Sequence, residues 1–392
     1  MTLRKSLLLL LPLFTFFSIN AATTATPKSS KKTTAKPATK PTAFTPAPSS
    51  TRTTTTSKTA QKKKPVRRYY NPYSTPTFAP SGEDDNVDGE DLVVRRAAVE
   101  ALGPYNGSVV VADPSTGRIL SIVNQKLALT GAFTPCSTIK LVSGLAGLME
   151  GYIERDTYVR LSRRESMNLT VALARSNNLF FQKIGANLGF EKVRYYAQMF
   201  GLGEKAGLNI DGEVDGVFPP EPPKDVPFPF MCSHGSGIEM TPLQLTAIMS
   251  SFANGGTLYY LQYPRTAEDV EALVPRVKRR LEVDHWLPEM KPGLLGATEF
   301  GSGRRAGYDN SNEPVYGKTG TCSDGRTHLG WFTSFNEVGT RKLVVTVLLT
   351  GGSPINGPVA SGIAGQVYKT LSGLQYFAQQ HTLSPATLVN AQ

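Results

Sequence analysis

An α+β domain, with a five-stranded antiparallel sheet, flanking helices and an inserted helical subdomain, is the fold class this sequence predicts. Three observations predict it: two β-like segments close to residue 110, a helix-rich middle, and three β-like segments after residue 313. When both ends of a chain supply strands to one sheet, the helices between them become an insertion.

The elements follow in order. Asp84, Asp85, Asp88, Glu90 and Asp91 charge the start of a helix through Val93, Val94, Ala97, Ala98 and Leu102, and Gly103-Pro104 stops it. Ser108 to Val111, the turn Asp113-Pro114-Ser115-Thr116-Gly117, and Ile119 to Ile122 read as strand, turn, strand. Ser137 to Met149, Leu169 to Arg175, Leu179 to Leu188, Phe190 to Phe200 and Pro242 to Phe252 carry apolar residues at three- and four-residue spacing, which predicts helices. Pro314 to Cys322, Leu329 to Phe335 and Leu343 to Thr350 are β-like, and Ile363 to Leu371 predicts a closing helix. No internal repeat is present.

Ahead of this domain, expected over 83–380, stand two segments of other character. Arg4 and Lys5 precede an apolar run from Leu7 to Ile19, so residues 1–21 read as a signal peptide or an N-terminal anchor, the run being short for a membrane span. Residues 22–82 form a basic linker rich in Ser, Thr, Pro and Lys, which lacks the apolar surface to offset ordering entropy. Residues 381–392 form a tail. The formal charge of +11 belongs to the leader and linker: residues 1–70 hold 14 of the 42 Lys and Arg and no acid, leaving 28 basic against 31 acidic residues beyond, a net −3. No basic folded face for nucleic acid is thereby implied; the plain reading of the linker is a solvated spacer, and the sharper one is that lysine clusters such as Lys62-Lys63-Lys64 hold it against an anionic envelope polymer or lipid head groups. Four His, at 234, 285, 328 and 381, and three Cys match no metal-ligand spacing, so neither a metal nor a cofactor is implied.

Three short motifs carry the chemistry. Ser137-Thr138-Ile139-Lys140 opens a predicted helix, where residues i and i+3 share a face, so the Lys140 amine falls beside the Ser137 hydroxyl. A serine needs such a base, and a lysine desolvated among cations can lose its proton and serve. Alone the pattern is weak, for Ser29 and Lys32 repeat it in the linker. Its plain reading is a helix-capping serine with a surface lysine. Ser176-Asn177-Asn178 falls between two helices, where Ser176 could relay a proton and the Asn178 amide orient its neighbours. Ser-x-Asn also recurs, at Ser18, Ser166 and Ser334. Lys318-Thr319-Gly320-Thr321 lies in a predicted strand, and Lys-Thr-Gly occurs only there. Its lysine can meet a substrate carboxylate, its glycine admits a ligand to the backbone, and a strand N–H together with that of Ser137 could form an oxyanion hole.

The order of the set decides. With Val109 to Leu120, Ala174 to Asn178, Phe200 to Gly203, Gly235 to Leu245, Ala253 to Gly256 and Gly317 to Thr321 followed by Gly330-Trp331-Phe332, the chain resembles the transpeptidase domain of penicillin-binding proteins over roughly residues 105–375. The resemblance implies the fold of the serine β-lactamases and transpeptidases, with Ser137 as acylated nucleophile and Lys140 as general base. Ser176 and Asn178 would be proton relay and orienting amide; Lys318 and Thr319 would bind a substrate carboxylate, next to Gly320, and Thr321 would lend its N–H to the oxyanion hole. It implies an exported D,D-transpeptidase or D,D-carboxypeptidase of the periplasm or cell envelope, acting on peptidoglycan stem peptides and acylated by β-lactam antibiotics. A serine β-lactamase and a β-lactam or muropeptide sensor are the alternatives, and Glu213 is the nearest candidate by spacing for a hydrolytic base. Asn178 argues against a class D β-lactamase.

Several positions depart from the family. Cys136 stands where many members have Gly and Ile139 where many have Phe, and a basic linker with one short helix occupies the place of the large folded domain of the high-molecular-weight members. Cys136, Cys232 and Cys322 allow one disulfide, and spacing does not choose the pair. If the motifs converge, Cys136 and Cys322 come close, either as a disulfide or as two small buried thiols.

Overall fold

A computed structural model describes residues 73–307, 313–338 and 341–378. The signal or anchor segment, the linker as far as residue 72 and the tail 381–392 lie outside the described residues. The linker's last residues, Tyr73 to Gly82, are among them and already pack on the domain: Asn106 N donates to Thr77 O, and Gly352 N to Thr77 Oγ1, both at 3.0 Å.

The expected sheet is present. Its strands run, in spatial order, Ile119–Val123, Gly107–Ala112, Val344–Gly351, His328–Asn336 and Val315–Ser323, each antiparallel to its neighbours. Both faces are covered, which is why Gly107–Ala112, Ile119–Val123 and Val344–Gly351 read as nearly continuous apolar runs, whereas the edge strand Val315–Ser323 carries Lys318, Thr319 and Thr321. Val109, Val111, Val345, Val347 and Leu349 face one core with the helices Leu92–Leu102 and Gly357–Gly373. Val110, Val344, Leu348 and Trp331 face the other, beneath the inserted helices.

The insertion departs from its expected outline at places with physical causes. Ser137 sits in a 3₁₀ turn, Cys136–Ile139, ahead of the α-helix Lys140–Met149. The two helices expected between Leu179 and Phe200 are present end to end over Asn178–Met199, divided at Gly189, whose φ 72° and ψ 167° are not helical. The closing helix begins earlier than expected, because Asn356 caps Val359 N and Pro358 suits the first turn. A helix that the spacing did not predict, Leu287–Glu299, contains Pro292, Gly293 and Gly296. Its glycines are a packing requirement: a Cβ on Gly293 would lie 2.6 Å from Leu173 Cβ, and one on Gly296 3.2 Å from Ala174 Cβ. This close approach holds the loop that begins at Arg175.

The first helix is tied to the sheet by a buried ionic cluster. Arg95 meets Asp85 at 2.8 Å and Glu90 at 3.6 Å, and its Nη1 donates to Ile122 O. Asp85 also accepts from Asn124 N and Gln125 N, and Glu90 from Ile122 N, Ser121 Oγ and Tyr263 Oη. Removing one partner of such a cluster strands the remaining charges. We expect Arg95→Ala to lower the unfolding free energy by about 3–5 kcal/mol in denaturant titration, whereas Arg163→Ala, at an exposed position, should change it by less than about 0.5 kcal/mol.

Candidate active site

The three motifs meet where the inserted helices abut the Val315–Ser323 edge strand. Lys140 is fully buried on the first turn of its helix, and its Nζ lies 2.8 Å from Ser137 Oγ. The same nitrogen donates to Ser176 O at 2.9 Å, Ser176 Oγ at 3.2 Å and Asn178 Oδ1 at 2.6 Å. From the edge strand the buried Lys318 Nζ reaches Ser176 Oγ at 2.7 Å and Thr319 O at 3.0 Å. Ser137 itself is half-buried and open to a reactant. Strand alternation places Lys318, Gly320 and Cys322 on one face of the strand, toward this cluster.

Local chemistry explains the loop between the helices. Leu169–Ala174 ends in a Schellman arrangement, with Asn177 N donating to Ala172 O and Ser176 N to Leu173 O. The residue in its left-handed position is normally Gly but here is Ser176, at φ 55°. Asn177 then caps the next helix through Phe180 N. One junction thus aims both Ser176 and Asn178 at Lys140.

The nucleophile's turn is fixed from three sides. Trp331 Nε1 donates to Thr134 O at 3.0 Å. A Cβ on Gly320 would sit 3.0 Å from Pro135 O, and one on Gly235 2.4 Å from Pro135 Cγ, so both glycines allow backbone to close on the turn. Cys136, also left-handed at φ 51°, is bonded to Cys322 across a Cα–Cα distance of 5.6 Å. Of the two arrangements open from sequence, the disulfide is the one present, and it ties the turn that carries Ser137 to the strand that carries Thr321. Cys232 remains a buried thiol, pushed up to about 12 by desolvation.

Burial governs the electrostatics. Desolvation first, and the charge of Lys318 second, hold Lys140 well below its ordinary value. Desolvation brings Lys318 down to about 7. Among the described residues neither forms an ion pair with a carboxylate, so no opposite charge offsets the desolvation that lowers both.

Two contributors escaped the sequence reading. Ser302 Oγ lies 2.5 Å from Thr319 Oγ1, and Ser302 N donates to Ala174 O, tying the edge strand to the helix that precedes Ser176. The only hint was a small residue between two glycines. His234 reaches Asn178, as described below. Thr321 Oγ1 accepts from Gly357 N at 2.8 Å, which ties the edge strand to the start of the closing helix. Glu213 is drawn away from the cluster: its carboxylate accepts from Ala206 N at 2.7 Å and Gly207 N at 3.0 Å, while desolvation raises its pKa. Among the described residues no group of three or more His, Cys, Asp or Glu converges as a metal site would.

The profile of the penicillin binding protein transpeptidase domain matches residues 107–371, a span that includes all three motifs. The chain belongs to this family. It is 28% identical over 314 residues to stage V sporulation protein D of Bacillus subtilis, covering 69% of this chain and 48% of that protein. With the peptidoglycan D,D-transpeptidase MrdA of Haemophilus influenzae it shares 23% identity over 356 residues, covering 69% of this chain and 54% of that one. The chain therefore spans about half the length of the curated relatives it matches. In fold it is similar to the transpeptidase domain of Burkholderia pseudomallei penicillin-binding protein 3, with a TM-score of 0.62 and 19% identity, covering 76% of this chain and 98% of that domain. That fold is the one the sequence predicted.

The disulfide closes a loop of 186 residues. Cys322→Ser should therefore lower stability by about 2–4 kcal/mol in denaturant titration. Peptide mapping without reductant should recover Cys136 joined to Cys322, with Cys232 alkylated only after unfolding.

Proposed function

We propose that this protein is an exported active-serine peptidoglycan D,D-transpeptidase, acting on stem peptides through a Ser137 acyl-enzyme and acylated by β-lactams at the same oxygen. The observation that carries this reading is Lys140 Nζ, buried, with no carboxylate ion pair among the described residues, and 2.8 Å from Ser137 Oγ. Neutral Lys140 accepts the Ser137 proton as the oxygen attacks the carbonyl of a D-Ala-D-Ala terminus or a β-lactam. The Ser137 and Thr321 N–H groups stabilise the resulting oxyanion, a donor of this kind contributing about 3 kcal/mol. Ser176 Oγ, between the two lysine nitrogens, passes the proton to the leaving amine. Lys318 and Thr319 receive the substrate carboxylate beside Gly320. An acceptor amine then resolves the acyl-enzyme as transpeptidation, or water does so as D,D-carboxypeptidation. The cysteine pair and the leader support a location in the oxidising periplasm or cell envelope.

A labelled penicillin tests the assignment. The adduct should map to Ser137, and Ser137→Ala should abolish it with the unfolding midpoint unchanged. An adduct on another serine would sink the proposal. Lys140→Ala should slow acylation by about 10²–10⁴-fold, and the wild-type rate should climb with pH as Lys140 loses its proton. With the Glu213 carboxylate held by backbone amides, the adduct should last minutes to hours and be changed little by Glu213→Gln. Fast turnover abolished by that substitution would instead make the protein a β-lactamase.

A further inference from the structure

His234 belongs to none of the motifs, yet it touches the amide that holds Lys140. It ends the helix Pro229–His234, where the Phe230 ring stacks on it at 5.0 Å between centroids. Its Nε2 lies 3.1 Å from Asn178 Nδ2, and its Nδ1 2.6 Å from Ser233 Oγ. The next residue, Gly235, lies against Pro135, so the helix that carries this ring ends beside the nucleophile's turn.

Hydrogen-bond logic fixes the ring's state. Asn178 Oδ1 faces Lys140 Nζ at 2.6 Å, so the amide must turn its NH₂ toward His234. An NH₂ group only donates, and the atom facing it must offer a lone pair. Nε2 is then unprotonated, and the ring proton sits on Nδ1 and points to Ser233 Oγ. That oxygen can accept it, because its own hydrogen has Phe230 O at 3.4 Å, while Gln182 Nε2 also donates to it at 3.3 Å.

We propose that His234 is a positioning residue for acylation, its neutral ring accepting from Asn178 Nδ2 and so keeping Asn178 Oδ1 on Lys140. The inference rests on Ser137 and Lys140 being nucleophile and base. Protonating Nε2 sets two donors against each other. Rotating the amide to escape that clash would turn its NH₂ onto Lys140 Nζ, which then loses an acceptor. The cations facing the ring are Lys140 from its helix and, one hydroxyl farther, Lys318 from the edge strand. Gln182 faces it from Asn178–Met199 and is neutral, and among the described residues no carboxylate forms an ion pair with His234. Desolvation first and the Lys140 charge second lower its pKa, so the ring is neutral near physiological pH and charges only in acid.

The test is the acylation rate constant of the full chain with a fluorescent penicillin, from about pH 5 to about pH 9, for wild type, His234→Gln, His234→Phe and Ser137→Ala. Lys140 and Lys318 titrate alike in wild type and in His234→Gln, so the two profiles are read against each other: below the imidazole pKa the wild-type rate should fall more steeply with acid, by about one proton, than that of His234→Gln. His234→Gln, whose amide oxygen can stand where Nε2 accepts, should keep the maximal rate within about threefold of wild type. His234→Phe keeps the stack on Phe230 but offers no acceptor, and should lower the plateau about tenfold or more with the unfolding midpoint unchanged. A wild-type rate in His234→Phe, equal slowing in His234→Gln, or an unaltered acid limb in His234→Gln would overturn the proposal. Should His234→Phe not fold, the His234→Gln profile decides alone. Absence of label on wild-type Ser137 is a different failure, because it removes the active-serine reading itself.

Discussion

Two lysines share one hydroxyl inside the protein, and the site's architecture follows from keeping them there. Lys140 and Lys318 both reach Ser176 Oγ, at 3.2 and 2.7 Å, and both are fully buried. Taking two ammonium groups out of water next to each other is costly, and that cost favours release of a proton from one of them. An unprotonated amine beside a serine hydroxyl is what acyl transfer requires. In this site the cost of burial and the basis of reactivity are therefore the same interaction.

Holding that arrangement takes strain elsewhere. Ser176 and Cys136 both adopt left-handed backbone without being glycine, at φ 55° and 51°. Such residues cost about 1–3 kcal/mol each and persist where their surroundings over-determine them. At Ser176 the surroundings are the helix end and the two lysines; at Cys136 they are the bond to Cys322 and the pressure of Gly320 on Pro135. A glycine at either position would relieve the backbone and lose a side chain that the site employs.

Much of the fold was legible because its signals are local. The five strands are bounded by turn residues and carry apolar side chains on both faces, and the expected limits fall within about a residue or two of those found. The helix Leu287–Glu299 was not legible, since Pro292, Gly293 and Gly296 are poor helix formers, and the two glycines are there for close contact with Leu173 and Ala174. The same division runs through the site. Ser137, Lys140, Ser176, Asn178 and Lys318 announce themselves through spacing and order. Ser302 and His234 act across gaps of 17 and 56 residues from their partners Thr319 and Asn178, at positions with no pattern to mark them. The Cys136–Cys322 bond was one of two open arrangements until the strand and the turn were seen side by side.

The claim most exposed to experiment is that the buried lysines are not both charged near neutral pH. The direct measurement is a pH titration of ¹³Cε-labelled lysines by NMR, with Lys140→Arg and Lys318→Arg variants to assign the two signals. We predict two resonances apart from the surface lysines, that of Lys318 titrating at about 7 and that of Lys140 well below the usual lysine range. Both resonances titrating with the surface lysines, near about 10.4, would contradict the account.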